Sequence, residues 1–259
     1  MDAPEDAVIR VEGLTMGFDD FVLMRDLDFV VRRGEIFAIL GGSGSGKSTL
    51  LKHMIGLYTP LAGQIRVAGV DITQAEGAAR EAMLQRVGVM YQMGALFGSM
   101  TLLENVRLPL EVHTQLPREA MDAIARARLQ LVGLGAFADF LPAQISGGMQ
   151  KRAAIARAMA LDPEVLFLDE PSAGLDPITS AGLDRLIRRL ARSLDMTIVM
   201  VTHELNSIFA IADRVIMLDK ESQSIVADGD PVALREHSQH PWVRHFLQAQ
   251  PEQSDEGAA

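Results

Sequence analysis

The chain has 259 residues, 48% of them hydrophobic, which is enough for one large core and too apolar for a disordered protein. The 34 acidic residues outnumber 24 basic ones, and no dense basic block provides the concentrated positive face of a nucleic-acid binder. No run approaches the ~18 apolar residues that cross a bilayer, and the first residues are acidic, unlike a secretory signal. The sequence also contains no cysteine. We therefore expect a soluble cytoplasmic protein.

The first third of the chain predicts strands around one glycine-rich loop. Residues 8–11 and 27–31 are β-rich segments separated by a polar turn at Asp19 and Asp20. A short apolar run, 35–40, ends in glycines and leads into a helical pattern at 47–55. Further strands are predicted at 63–67 and 87–91.

The middle of the chain, about residues 96–160, reads as a mostly helical insert. Helical spacing covers Leu102 to Leu110 and Arg118 to Val132, and we expect breaks at Pro109, Pro117 and Pro142. This segment predicts a helical subdomain inserted into the core.

Apolar strands return at 165–168, 197–201 and 215–218, alternating with helices from Ser180 and Leu205. Strands that are apolar on both faces and alternate with helices indicate a parallel sheet that is covered on both sides. We expect an α/β fold with a single domain over 1–249 and a disordered polar tail at 250–259.

Four arginines in the helix after Ser180 have helical spacing, at positions 185, 188, 189 and 192. This spacing favours a solvated helix face over a contact with a nucleic-acid backbone.

The glycine loop fits the phosphate-binding pattern G-x-x-x-x-G-K-[ST] between a predicted strand and helix. Glycines let successive backbone N–H groups turn inward around an anion, and the helix N-terminus adds positive charge. Lys47 supplies a full charge to the β- and γ-phosphates, and the Ser48 hydroxyl is a Mg²⁺ ligand. The alternative is a flexible glycine turn. The candidate ATP-binding residues here are Gly41, Gly42, Ser43, Gly44, Ser45, Gly46, Lys47, Ser48 and Thr49.

Two carboxylates, Asp169 and Glu170, end the apolar strand at 165–168. We predict that Asp169 lies near Mg²⁺, directly or through water, and that Glu170 orients or deprotonates the attacking water. An ordinary acidic turn is the alternative, and the phosphate loop favours the catalytic interpretation.

The segment Ile145-Ser-Gly-Gly-Met-Gln-Lys-Arg152, a short distance before Asp169, resembles the signature segment of ABC ATPases. Ile145 stands where the family usually has Leu, and Met149 where it usually has Gln. The resemblance covers roughly residues 8–235 and implies a P-loop NTPase core with an antiparallel N-terminal β part. The signature residues that it implies are Ser146, Gly147, Gly148 and Met149.

Three further positions match that family in the expected order. Gln92 resembles the Q-loop glutamine that touches Mg²⁺ or water, Asp176 lies in a segment resembling the D-loop, and His203 resembles the switch histidine at the γ-phosphate. Phe18 lies where the family stacks an aromatic ring on adenine, and Phe21 is a nearby rival that we favour less.

The resemblance implies that two copies pack head to tail. Each ATP then lies between Lys47 of one copy and Ser146 of the other, with Mg²⁺ held by Ser48, Gln92 and Asp169. ATP closes the dimer, and hydrolysis reopens it.

Longer phrases resemble the ATPase of Mla-type, Mce-associated phospholipid transporters. They are 91–97, 109–117, the Ser-Gly-Gly-Met motif and 174–179. This resemblance implies a membrane permease, a periplasmic Mce protein, often a STAS-domain protein, and a place on the inner face of the inner membrane. The alternatives are an importer of another solute, a lipoprotein-release system, or an ABC ATPase acting on DNA or ribosomes, which usually carries coiled coils or two cassettes.

The segment after Trp242 leaves two interpretations open. Residues 231–249 look helical in part, and the aromatics of 241–246 fit either an interaction helix or a packed terminal helix.

Overall fold

A computed structural model describes residues 6–18 and 21–248. The strands are β1 (Ala7–Phe18), β2 (Phe21–Arg32), β3 (Ile36–Gly41), β4 (Ala62–Val67), β5 (Val70–Asp71), β6 (Val87–Met90), β7 (Val165–Asp169), β8 (Thr197–Val201), β9 (Arg214–Asp219) and β10 (Ser224–Gly229). The helices are α1 (Lys47–Met54), α2 (Gly77–Gln85), α3 (Leu102–His113), α4 (Arg118–Leu131), α5 (Gly147–Ala158), α6 (Pro177–Leu194), α7 (Leu205–Ile211), α8 (Pro231–His237) and α9 (Pro241–Gln248).

The strands form two sheets. The larger has the order β10-β9-β3-β8-β7-β6, and its pairs from β9 to β6 are parallel, whereas β10 adds to β9 antiparallel. The smaller, β2-β1-β4-β5, is antiparallel. The predicted α/β class with a parallel core sheet and an N-terminal antiparallel part is therefore confirmed.

Strand β3 shows how the parallel sheet separates two hydrophobic clusters. Because successive side chains alternate between faces, Ile36, Ala38 and Leu40 face the cluster built with α3 to α6. Phe37 and Ile39 face the second cluster, which contains α1 and the antiparallel sheet. Both faces are covered, so every residue of β3, β7 and β8 is buried.

The expectation that Pro109 breaks a helix is wrong, because Pro109 lies inside α3. Val106 and Leu110 on either side of it are buried in the helical cluster, and their packing outweighs the hydrogen bond that proline cannot donate. The other two prolines lie where a helical segment begins. Pro117 is the N-cap residue of α4, and Pro142 is the first residue of a 3₁₀ turn at Pro142–Gln144.

Helices α3, α4 and α5 lie within the predicted helical insert, although its 96–160 bounds stay a prediction. The sequence prediction missed α2, β5 and β10. The predicted turn at 19–20 and the predicted tail at 250–259 lie outside the described residues.

On α6 the arginines at 185, 189 and 192 are exposed while Leu186 and Leu190 are buried, as expected for a solvated face. Within residues 6–18 and 21–248, no helix is both long and apolar enough to span a membrane.

Candidate nucleotide site

The phosphate loop joins the end of β3 to the start of α1. Gly46 adopts the left-handed conformation (φ 86°) immediately before α1 begins at Lys47. At Gly41 a Cβ atom would lie 2.4 Å from the Ser45 hydroxyl oxygen and 2.5 Å from the Leu218 carbonyl oxygen, so only glycine fits there. The glycines thus allow the tight path that brings the N-terminus of α1 to the end of the strand.

Lys47 is folded back over this loop. Its Nζ donates hydrogen bonds to the carbonyl oxygens of Gly41 (2.9 Å) and Gly42 (3.0 Å). Burial lowers the pKa of Lys47, and the nearby charges of Glu170 and Asp169 oppose this shift. The ammonium group therefore lies between the phosphate loop and the two carboxylates.

Asp169 ends β7 beside the start of α1. The Ser48 hydroxyl donates to Asp169 Oδ1 at 3.2 Å. Burial raises the pKa of Asp169, and the Ser48 hydrogen bond partly offsets that shift. A hydroxyl and a carboxylate oxygen at this separation are the hard donors that Mg²⁺ prefers, so this pair fits the ion.

Glu170 follows in the left-handed conformation (φ 48°), and its N–H donates to the Val201 carbonyl oxygen at 2.8 Å. Its side chain thereby diverges from that of Asp169. Glu170 Oε1 lies 2.9 Å from His203 Nδ1, whereas Oε2 is buried and has no hydrogen-bond partner among the residues that the structure describes. One carboxylate oxygen is thus held by the histidine, and the second is free to accept a proton or a hydrogen bond.

These groups, except Asp169, which lies behind Ser48, line a cavity of about 870 Å³. Of the residues predicted from sequence, those lining it are Gly41, Gly42, Ser43, Gly44, Gly46, Lys47, Ser48, Thr49, Gln92, Glu170 and His203. The structure therefore brings together segments that lie more than half the chain apart.

Ser45 is the member of the loop that does not line the cavity. It is 1% exposed, and its hydroxyl lies under the loop with no hydrogen-bond partner in the two described ranges, 6–18 and 21–248. Its N–H donates to the Gly42 carbonyl oxygen within the loop. Its side chain supports the turn instead of facing a ligand.

The sequence analysis did not predict four residues that line the cavity: Glu204, Leu205, Asn206 and Phe246. The first three follow His203 directly, so adjacency was an available signal. Phe246 comes from α9, whose Val243 and Leu247 are buried in the helical cluster. This burial favours the packed-helix interpretation of the C-terminal segment, and no sequence pattern placed Phe246 at the cavity.

Gln92 lies in the turn after β6, with an exposed side chain at the cavity. Its backbone carbonyl accepts a hydrogen bond from Lys151 of α5. Burial lowers the pKa of Lys151, against the opposing charges of Glu170 and Asp169. This lysine was not singled out from the sequence.

The signature segment and Asp176 lie outside the cavity lining. Ser146 caps α5 by accepting from the Met149 N–H at 3.3 Å, and Asp176 caps α6. At Gly148 a Cβ atom would lie 2.4 Å from the Thr179 methyl group, so the two helix starts are packed together. Ser146, Gly147 and Asp176 are exposed.

Phe18 ends β1, is 49% exposed and lies edge-on to Tyr58 with ring centroids 5.7 Å apart. Phe21 is 59% exposed, and neither ring lines the cavity. The choice between them as an adenine platform stays a prediction.

The family model described as ABC transporter matches residues 24–173, more than half of the chain and a range containing the phosphate loop, Gln92, Ser146 and Glu170. The chain belongs to the ABC transporter family and is one of its ATPases.

Its relatives include MlaF of Escherichia coli (strain K12), the ATP-binding protein of an intermembrane phospholipid transport system, 40% identical over 86% of this chain and 81% of that one. The mkl protein of Mycobacterium leprae (strain TN), a probable ribonucleotide transport ATP-binding protein, is 40% identical over 94% of this chain and 70% of that one. A solved dimer of the ATP-binding cassette MJ0796 with ADP and Pi superposes with TM-score 0.76, at 28% identity over 86% of this chain and 98% of that one. The names of MlaF and mkl refer to different cargoes, phospholipid and ribonucleotide.

Proposed function

We propose that the cavity binds Mg-ATP and that Glu170 drives its hydrolysis. The backbone N–H groups of the phosphate loop and Lys47 bind the β- and γ-phosphates, while Ser48, Asp169 and the side chain of Gln92 hold Mg²⁺. The ion would offset phosphate charge as the bond breaks. Glu170 takes a proton from a water molecule as the oxygen of that water bonds to the γ-phosphorus. The bond from this phosphorus to the oxygen that bridges it to the β-phosphate breaks, which releases ADP and phosphate.

The main support for this proposal is that the two carboxylate oxygens of Glu170 have different surroundings. His203 holds Oε1, and the buried Oε2, beside a cavity lined by the phosphate loop, has no hydrogen-bond partner in the described part of the chain. Two oxygens in different environments suit a base that is both oriented and free to accept a proton. His203 itself, 61% exposed in its side chain, is available to the γ-phosphate.

The test is Glu170→Gln, which keeps the size of the side chain but removes its charge. We expect ATP binding to persist, steady-state turnover to fall by about 100-fold or more, and ATP to convert the variant into a stable dimer. The measurements are phosphate release, nucleotide affinity and light scattering. The matched control is Glu236→Gln on α8, an exposed residue outside the cavity, which we expect to behave like the parent. Normal turnover by Glu170→Gln would show that another group is the base.

The exposed signature motif supports a composite site in a head-to-tail dimer. Ser146 lies outside its own chain's cavity at an exposed helix N-terminus, a position suited to phosphate on a second copy. Ile178, the second residue of α6 and 82% exposed, gives the same surface an apolar contact. The solved relative is dimeric. We assign Ser146, Gly147, Gly148, Met149 and Asp176 to this interface.

The cargo that we propose is phospholipid, moved between inner and outer membranes with a permease and a periplasmic Mce protein. The chain itself would lie on the cytoplasmic face of the inner membrane. Support comes from the sequence phrases shared with Mla-type ATPases and from the 40% identity to MlaF. The equal identity to mkl, named for ribonucleotide transport, makes a polar cargo the second candidate.

Purification of the tagged full chain from its native membranes in mild detergent tests the cargo. We expect a permease, an Mce protein and enriched phospholipid by mass spectrometry. A different permease with a soluble solute-binding protein and no enriched lipid would refute the phospholipid proposal and leave the ATPase site untouched.

A further inference from the structure

Lys151 is a buried cation one turn into α5, the helix whose N-terminus presents Ser146. It is 9% exposed. Its Nζ donates one hydrogen bond to the carbonyl oxygen of Gln92 and a second, at 3.4 Å, to the carbonyl oxygen of Glu170. One ammonium group therefore contacts the backbone of both the proposed Mg²⁺ ligand and the proposed base.

A second cation on α5 holds the same loop further along. Arg157 donates to the carbonyl oxygens of Gly94 (2.9 Å) and Ala95 (2.6 Å). The segment 92–95 is thus fixed to α5 by two side chains, and Lys151 alone of the two also reaches Glu170. The two residues can be compared directly, since Arg157 holds the same loop as Lys151 at different carbonyl oxygens and makes no hydrogen bond to Glu170.

Burying a lysine is costly unless its charge is well paired, and here the direct partners are main-chain oxygens, not a carboxylate. A simple packing role would be served as well by an apolar side chain of similar volume. The geometry instead uses two N–H donors of one ammonium to join the segments that follow β6 and β7, which a residue lacking donors cannot do.

We propose that Lys151 is a positioning residue that fixes Gln92 and Glu170 to the helix carrying Ser146. The inference rests on the site roles proposed above for those three residues. Because α5 links both contacts to its own N-terminus, a shift of this helix moves the loop of Gln92 and the backbone of Glu170 together. The signature segment that serves one nucleotide is thereby tied to the hydrolytic groups that serve the other.

The test replaces Lys151 by Met, which keeps the length and removes the donors, and Arg157 by Met as the matched comparison. For Lys151→Met we expect kcat to fall by about 10-fold or more while KM for ATP stays within about threefold, because a misplaced base affects chemistry more than binding. Hydrogen exchange at amides 92–95 should accelerate in both variants. The fall in kcat should be smaller in Arg157→Met, where Glu170 keeps its contact.

Lys151→Gln provides the rescue. Its amide keeps two N–H donors and should recover part of the lost kcat, and it also replaces Lys151→Met if that variant does not fold. A parent-like kcat in Lys151→Met, or a parallel loss in kcat and thermal stability with no recovery in Lys151→Gln, would overturn the proposal. Equal losses in the Lys151 and Arg157 variants would refute the Glu170 contact.

The test of Lys151 can fail independently of the test of Glu170 as the base. If Glu170→Gln turns over normally, the assignment of the base fails whatever Lys151 does. If Glu170→Gln is inactive and Lys151→Met is normal, the base stands and the positioning role fails.

Discussion

Glu170 and Asp184 are both buried carboxylates, each with one oxygen that has no hydrogen-bond partner within residues 6–18 and 21–248. Glu170 faces the cavity, so the proposed mechanism gives its second oxygen a chemical use. Asp184 lies between α6 and α7, where Ser207 donates to its other oxygen at 2.9 Å. The surroundings, not the residue type, therefore separate the carboxylate that we propose as the base from a structural one.

Asp184 predicts a pH dependence of stability. Burial raises its pKa above 3.8, and the Ser207 hydrogen bond only partly offsets this. Above pH 3.8 the folded state then holds this proton more tightly than the unfolded state, so the parent loses stability as pH rises through the folded-state pKa. Asp184→Asn lacks this loss, and we expect its Tm relative to the parent to increase with pH.

Thermal unfolding from pH 4 upward measures this difference. Ser207→Ala removes the donor that favours the charged form of Asp184. The Tm of this variant should therefore fall more with rising pH than the Tm of the parent. A difference in Tm between Asp184→Asn and the parent that stays constant with pH would contradict the prediction. Glu204 and Arg185 are the other charged groups acting on Asp184, so neither should be altered in these variants.

At the scale of elements, the start of α3 depends on one buried amide that sequence patterns did not reveal. Asn105 is fully buried and accepts from the Phe97 N–H at 2.8 Å, and its two N–H donors are shared among the carbonyl oxygens of Phe97, Met100 and Thr101. It closes the turn that connects the loop of Gln92 to the helix. The periodicity of the sequence predicted the helix but not what holds its entry.

Asn105→Ala should destabilise the protein by about 2–4 kcal/mol, because it leaves buried backbone groups without partners. Urea or thermal unfolding measures the change. The control is Thr101→Ser in the capping box of α3, which keeps the hydroxyl that accepts from Glu104 N–H and should stay within about 0.5 kcal/mol. Equal stability of Asn105→Ala and the parent would show that water replaces the amide.

At the scale of the whole molecule, the site forms where neighbouring parallel strands end. Gly41 ends β3, Asp169 ends β7, and His203 comes shortly after β8, which lies between those two strands. Parallel strands bring their carboxyl ends to one edge, and ligands of open α/β sheets bind there. Three motifs from distant parts of the chain therefore converge once the strand order is set.

The sequence by itself determined the phosphate loop, the carboxylate pair and the order of the family motifs. Each is local: backbone angles near Gly46 and the end of an apolar strand at Asp169 depend on a few adjacent residues. The predicted break at Pro109 failed because packing at distance, not local preference, decides whether a helix continues.

Only the tertiary structure decided the contacts made between segments far apart in the chain. Ser45 is turned under its loop, Phe246 reaches the cavity from α9, and Lys151 joins Gln92 to Glu170. These depend on which helix face packs against which strand end, and no spacing of residues along the chain encodes that geometry.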